Sequence, residues 1–149
     1  MENEKSVNVL NALIQINNDR IEGYETAAKE TEDSDLKSLF AHLQSTSQNN
    51  LNGLRTEVMR LGGAPEEGTR VTGKFFRVWM DVKAALTGND RKAILNSCEF
   101  GEDKALETYE DTIEDNSEKL SSEQLAMIRE QQAHLRADYD KIKDLRDAV

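Results

Sequence analysis

Apolar residues recur along the chain at intervals of three and four, the period of a helix that hides one face. In the first stretch Val7, Leu10, Ile14, Asn17, Ile21, Tyr24 and Ala28 step by 3, 4, 3, 4, 3, 4, and Leu13 and Ile16 widen the stripe. Glu32-Asp33-Ser34-Asp35 interrupts it with turn-forming residues and an N-cap candidate. The second stretch carries Leu36, Phe40, Leu43, Ser47, Asn50, Leu54, Val58 and Leu61, and stops at Gly62-Gly63 and Pro65. The third carries Leu95, Cys98, Glu102, Ala105, Tyr109 and Thr112. The fourth opens at Ser121, where Ser121-x-x-Gln124 fits a capping box, and its apolar face uses Ile128, Leu135, Ile142 and Leu145. No stretch alternates as a strand would. The pattern predicts four long helices, about 4–32, 35–61, 90–116 and 122–147, in a single domain over 1–149.

The first and last connections are short, so each flanking pair is expected to form an antiparallel hairpin. The middle connection, 62–89, is long and holds Phe75, Trp79, Val82 and Leu86 at 4, 3, 4 spacing, which predicts a short helix over about 73–86. Four helices with one long crossover make a ferritin-like four-helix bundle, an all-α fold. Ile21-Glu22-Gly23-Tyr24-Glu25 and Leu106-Glu107-Thr108-Tyr109-Glu110, 85 residues apart, suggest that the hairpins are copies of one unit.

Composition narrows the function classes. The 149 residues carry 19 Lys+Arg against 29 Asp+Glu, a formal charge of −10, which argues against attraction to a phosphate backbone. The longest apolar runs fall far short of the ~20 residues that span a bilayer. The first residues lack the basic start and unbroken apolar stretch of a secretory signal. One Cys cannot staple the fold. The expectation is a cytoplasmic protein that binds neither nucleic acid nor membrane.

Polar residues interrupt the inward rows at one height. Asn17 lies 16 residues before the first hairpin turn, and Ser47 and Asn50 lie 14 and 17 after it. Glu102 lies about 16 before the second turn, and Gln131 and His134 about 13 and 16 after it. At ~1.5 Å per residue, all six fall roughly 20–25 Å from a turn, so their side chains are expected to meet in one buried layer.

This layer resembles the ferritin-like di-metal plan, with Glu from two helices and Glu-x-x-His from the other two. Gly101-Glu102-x-x-Ala105-x-x-x-Tyr109 resembles the ligand helix of rubrerythrins. Over nearly its full length the chain is similar to a family of small bacterial four-helix-bundle proteins of unknown function. Ile16-Asn17-Asn18-Asp19-Arg20, Leu61-Gly62-Gly63-x-Pro65 and Gly88-Asn89-Asp90-Arg91-Lys92-Ala93 carry that narrower match. The resemblance implies six ligand slots, filled here by Asn17, Ser47, Asn50, Glu102, Gln131 and His134. Only Glu102 and His134 keep the ligand type, too few carboxylates to balance two divalent ions.

A structural hydrogen-bonded layer is therefore expected, with no metal and no cofactor. Glu102 would pair with a protonated His134, or be protonated itself and donate to Gln131 or Asn17. Glu102→Gln should then be tolerated or mildly stabilising. The alternative is a reduced metal site on Glu102 and His134, borrowing Glu22, Glu107 or Asp138.

Other signals are weaker. Gly68-Thr69-Arg70-Val71-Thr72-Gly73-Lys74 spells most of a phosphate-binding loop, but Phe75 stands where Ser or Thr must hold magnesium, and no strand precedes it. Cys98 reads as a buried filler, and Tyr24 and Tyr109 as core rings with hydroxyls on polar partners. Neither His42 nor His134 belongs to a nucleophile–His–acid arrangement. Phe75, Phe76 and Trp79 lie in a locally basic segment with Arg70, Lys74, Arg77 and Lys83, the composition of an interface. The functional expectation is a non-enzymatic protein that acts through protein contacts or self-association (a homo-oligomer), with Phe75, Phe76 and Trp79 covering either the bundle itself or a second subunit.

Overall fold

The computed structural model describes residues 2–67 and 74–149, with side chains over 3–67 and 77–149. Five α-helices account for most of them: α1 (Glu2–Glu30), α2 (Ser34–Arg60), α3 (Lys74–Thr87), α4 (Arg91–Asn116) and α5 (Ser122–Asp147). A 3-10 turn, Ser117–Lys119, precedes α5, and no strand occurs among the described residues. The phosphate-loop-like segment 68–73 and the side chains of Lys74, Phe75 and Phe76 lie outside the described residues.

Local chemistry sets the helix ends. Asp33 caps α2 by accepting from the backbone N–H groups of Asp35 and Leu36, and Asp90 caps α4 by accepting from Ala93. Ser121 and Gln124 form the reciprocal capping box of α5. Gly62, with φ +82°, ends α2 in the left-handed conformation that glycine adopts without strain. No helix among the described residues is long and apolar enough to cross a membrane.

The four long helices pack around a common interior, with α1 beside α2, α2 beside α5, α5 beside α4 and α4 beside α1. Cross-helix hydrogen bonds fix the directions. Residues 17 and 24 of α1 meet 109 and 102 of α4, and 42 and 50 of α2 face 138 and 131 of α5. All neighbouring long helices are thus antiparallel, while α2 and α4 run the same way and need a long connection between them.

The second half of that connection, α3, lies outside α1 and α4. Two glycines make its seat. A Cβ on Gly23 would come within 2.5 Å of the Trp79 ring, and one on Gly101 within 2.6 Å of Val78 Cγ1. Val78 and Val82 are buried there, and Trp79, Ala85 and Leu86 are partly buried. Trp79 therefore packs on α1 of its own chain.

The apolar interior is divided in two. One cluster holds Leu10, Leu13, Ile14, Leu54, Val58, Tyr109, Ile113 and Ile128; the other holds Tyr24, Phe40, Leu43, Val82, Ile94, Leu95, Cys98 and Ile142. Polar side chains occupy the space between.

Candidate functional site: two polar layers in the interior

Each of the four long helices contributes one residue to a closed hydrogen-bonded circuit. Asn17 of α1 donates to the Tyr109 hydroxyl of α4 (2.8 Å), which donates to Gln131 Oε1 of α5 (2.9 Å). Gln131 Nε2 donates to the Asn50 carbonyl of α2 (3.2 Å), and Asn50 Nδ2 donates back to Asn17 Oδ1 (3.3 Å). Asn17 also donates to the Leu13 carbonyl at 2.9 Å. The circuit contains no charge, and burial pushes the Tyr109 hydroxyl well above its ordinary pKa, so it remains a donor.

One or two helical turns away lies a second layer, again with one residue from each helix: Arg20, Ser47, Glu102 and Asp138. Arg20 is its centre. Its Nη2 donates to Glu102 Oε1 at 2.7 Å and to Asp138 Oδ2 at 3.4 Å, and Nη1 donates to Ser47 Oγ. The Tyr24 hydroxyl donates to the same Glu102 oxygen, and the Arg20 guanidinium carbon stands 5.6 Å from the Tyr24 ring centroid. Arg20, Glu102 and Asp138 are only 3%, 1% and 2% exposed.

Burial alone would pull the Arg20 guanidinium pKa down, but Glu102, Tyr24 and Asp138 outweigh it and hold the group firmly charged. The Tyr24 hydroxyl is pushed far up, by burial first and by Glu102 second. Burial, then Glu102, also raises the nearby Cys98 thiol, which suppresses its thiolate chemistry. The layer carries a cost: Arg20 Nε and Glu102 Oε2 are buried without hydrogen-bond partners.

Of the six residues expected in one layer, five are interior, but they divide between two layers. Asn17, Asn50 and Gln131 belong to the neutral circuit, and Ser47 and Glu102 to the charged one. His134 is the correction. It is exposed, because the inward row of α5 runs Ile128, Gln131, Leu135, Asp138, Ile142, and position 134 falls about 100° from position 135. Glu102 consequently pairs with Arg20 and Tyr24, neither of them anticipated as its partner.

Among the residues considered as borrowed ligands, Glu22 and Glu107 are exposed, and Asp138 lies in the charged layer. His42, with its side chain 48% exposed, reaches Asp138 from outside, Nε2 lying 3.0 Å from Oδ1. The residues present do not fit a divalent metal pair. The carboxylates of Glu102 and Asp138 face an arginine that supplies positive charge between them, and a second cation there would be repelled. Among the described residues no group of three or more His, Cys, Asp or Glu side chains is placed to hold a metal ion.

The fold and its interior define an all-α domain held by paired polar layers. Residues 5–115, from α1 to nearly the end of α4, match the model of a domain of unknown function, DUF2383, and the chain belongs to that family. The matched segment carries Asn17, Arg20, Ser47, Asn50, Glu102 and Tyr109, whereas Gln131 and Asp138 lie beyond it on α5. No curated protein matches the chain.

Proposed function

We propose that this protein is a non-enzymatic, ferritin-like four-helix bundle that acts through protein contacts in the cytoplasm. In this reading the chain supplies its own interior cation. The observation that carries it is the Arg20 guanidinium, held between Glu102 of α4 and Asp138 of α5 with Ser47 of α2 as a further partner. A charged guanidinium 2.7 Å from its Oε1 leaves Glu102 little freedom to act as a base or a ligand. The antiparallel neighbours and the long α2–α4 connection favour the ferritin-like arrangement. The exposure of Arg77 and of Met80 (52%) on α3 favours self-association through that helix.

The metal-binding alternative on Glu102 and His134 is disfavoured, since one side chain is interior and paired and the other exposed. Equilibration of the purified protein with Fe(II), Mn(II) or Zn(II), followed by desalting and elemental analysis, tests the proposal. It predicts no stoichiometric metal and a melting temperature insensitive to chelator. Uptake of two irons per chain would overturn it. Sedimentation equilibrium tests the second half: a dimer that dissociates on Met80→Glu supports contact through α3, and a monomer at all concentrations refutes it.

A further inference from the structure

A groove of about 200 Å³ runs along the outside of the molecule between α1 and α3. It exists because the α1 wall is low. Gly23 has no side chain and Ala27 a single methyl, so Trp79 lies against the helix backbone. Trp79, Ala27, Val82 and Leu86 give the groove its apolar lining, while Met80, 52% exposed, forms a side that can adjust its shape. The indole is held edge-on to Tyr24, with ring centroids 5.1 Å apart, so its position is set before anything binds.

The rim is charged asymmetrically. Glu22 lies next to Gly23, at the Trp79 end, and Glu30 lies two turns further along α1. Neither has an ion pair among the described residues, and Lys83 is the basic residue across the groove. Of the three α1 carboxylates that line the groove, Asp19 is buried, whereas Glu22 and Glu30 are exposed and together outnumber that one ammonium, in a chain of net charge −10. An anion entering here would meet like charge, and a neutral apolar molecule would leave the carboxylates unused.

We propose that this groove binds a small organic amine, with its alkyl or aryl body on Trp79 and its ammonium at Glu22. An indole and a nearby carboxylate together suit an alkylammonium, the ring as apolar surface for its body and the carboxylate by charge. A volume of about 200 Å³ accommodates roughly ten non-hydrogen atoms, below the span of typical drug-sized pockets and far too little for a partner helix.

Trp79 is the only tryptophan, so its emission reports occupancy directly. Titration of the full chain at pH 7 with n-hexylamine, hexanoate and 1-hexanol, with circular dichroism to exclude unfolding, provides the test. The proposal predicts a saturable change in Trp79 emission with hexylamine alone. It also predicts affinity about fivefold weaker in Glu22→Gln, the worth of an exposed ion pair, and unchanged affinity in Glu123→Gln, a substitution at an exposed position on α5. Equal responses to the acid or the alcohol, a response that never saturates, or an unaltered affinity in Glu22→Gln would overturn it.

Discussion

Arg20 of α1 and Glu102 of α4 are joined by a 2.7 Å charge-assisted hydrogen bond in an interior where both side chains are almost wholly buried. This pair reverses the expectation for Glu102→Gln. A carboxyl buried without a cation would lose little by becoming an amide. Beside Arg20, the same change removes one of two compensating anions and leaves Asp138, at 3.4 Å, to balance the guanidinium. Glu102→Gln should therefore destabilise the protein by about 2 kcal/mol, and Glu102→Ala by about 3–5 kcal/mol, since the latter also strands the Tyr24 hydroxyl. Urea unfolding at pH 7 measures both. A neutral or stabilising Glu102→Gln would mean that Arg20 draws nothing from the pairing.

The two glycines under α3 give a prediction of opposite sign to the usual helical glycine. At an unobstructed helix interior, Gly→Ala gains roughly 1 kcal/mol. Gly53 of α2 is such a position, with the nearest atoms to an added Cβ at 3.4 and 3.5 Å, and Gly53→Ala should raise the melting temperature. Gly23→Ala and Gly101→Ala would force a methyl into the Trp79 ring and into Val78. Each should lower stability by about 1–3 kcal/mol, and Gly23→Ala should also shift Trp79 emission to the red as α3 lifts. Thermal melts and fluorescence spectra of the three variants decide the matter.

Much of the fold was legible because helical spacing, caps and breakers are local properties. The Asp33 and Ser121 caps and the Gly62 stop could be read directly from residue type and position. The interior polarity was legible at Asn17, Asn50, Ser47, Glu102 and Gln131 because each interrupts an apolar row. Arg20 was missed, and Asp138 was read only as a ligand that a metal site could borrow, for one reason: a charge in a helix is ordinarily solvated. Between Asn17 and Tyr24, either Arg20 or Ile21 keeps the 3–4 step, and hydropathy favours Ile21. The chain instead buries Arg20 and leaves Ile21 partly exposed. Between Leu135 and Ile142, a gap of seven, the row requires an occupant near 138, and that spacing was the available signal for Asp138. The matched spacing of Tyr24 and Tyr109 held a further clue, for each hydroxyl meets the polar residue of the opposite helix.

The Asp33 cap predicts a specific acid response. Slight desolvation would raise its carboxyl pKa, but the N–H groups of Leu36 and Asp35 and the Arg91 guanidinium, 2.8 Å away, outweigh it, and the pKa is lowered. A carboxylate depressed by folding adds stability above its unfolded pKa and loses it as pH falls through the folded one. Asn at position 33 keeps the cap and discards the charge. Asp33→Asn should thus be slightly less stable than the parent at pH 7, by under ~1 kcal/mol because the pair is partly solvated. The difference should close as the pH falls below the ordinary aspartate range of about 4 and shrink in high salt. A gap that widens on acidification would contradict the assignment.

The most direct test of the central claim, that the chain supplies its own interior cation through Arg20, is a double-mutant cycle on Arg20→Met and Glu102→Leu, read by urea unfolding at pH 7. Each single variant leaves buried polar partners unmatched, whereas the double variant removes the pair together. The result predicted is a coupling of at least about 2 kcal/mol, with the double variant more stable than the sum of the single losses allows. Additive losses, with coupling near zero, would show that Arg20 and Glu102 do not stabilise the fold as a pair and would contradict the account.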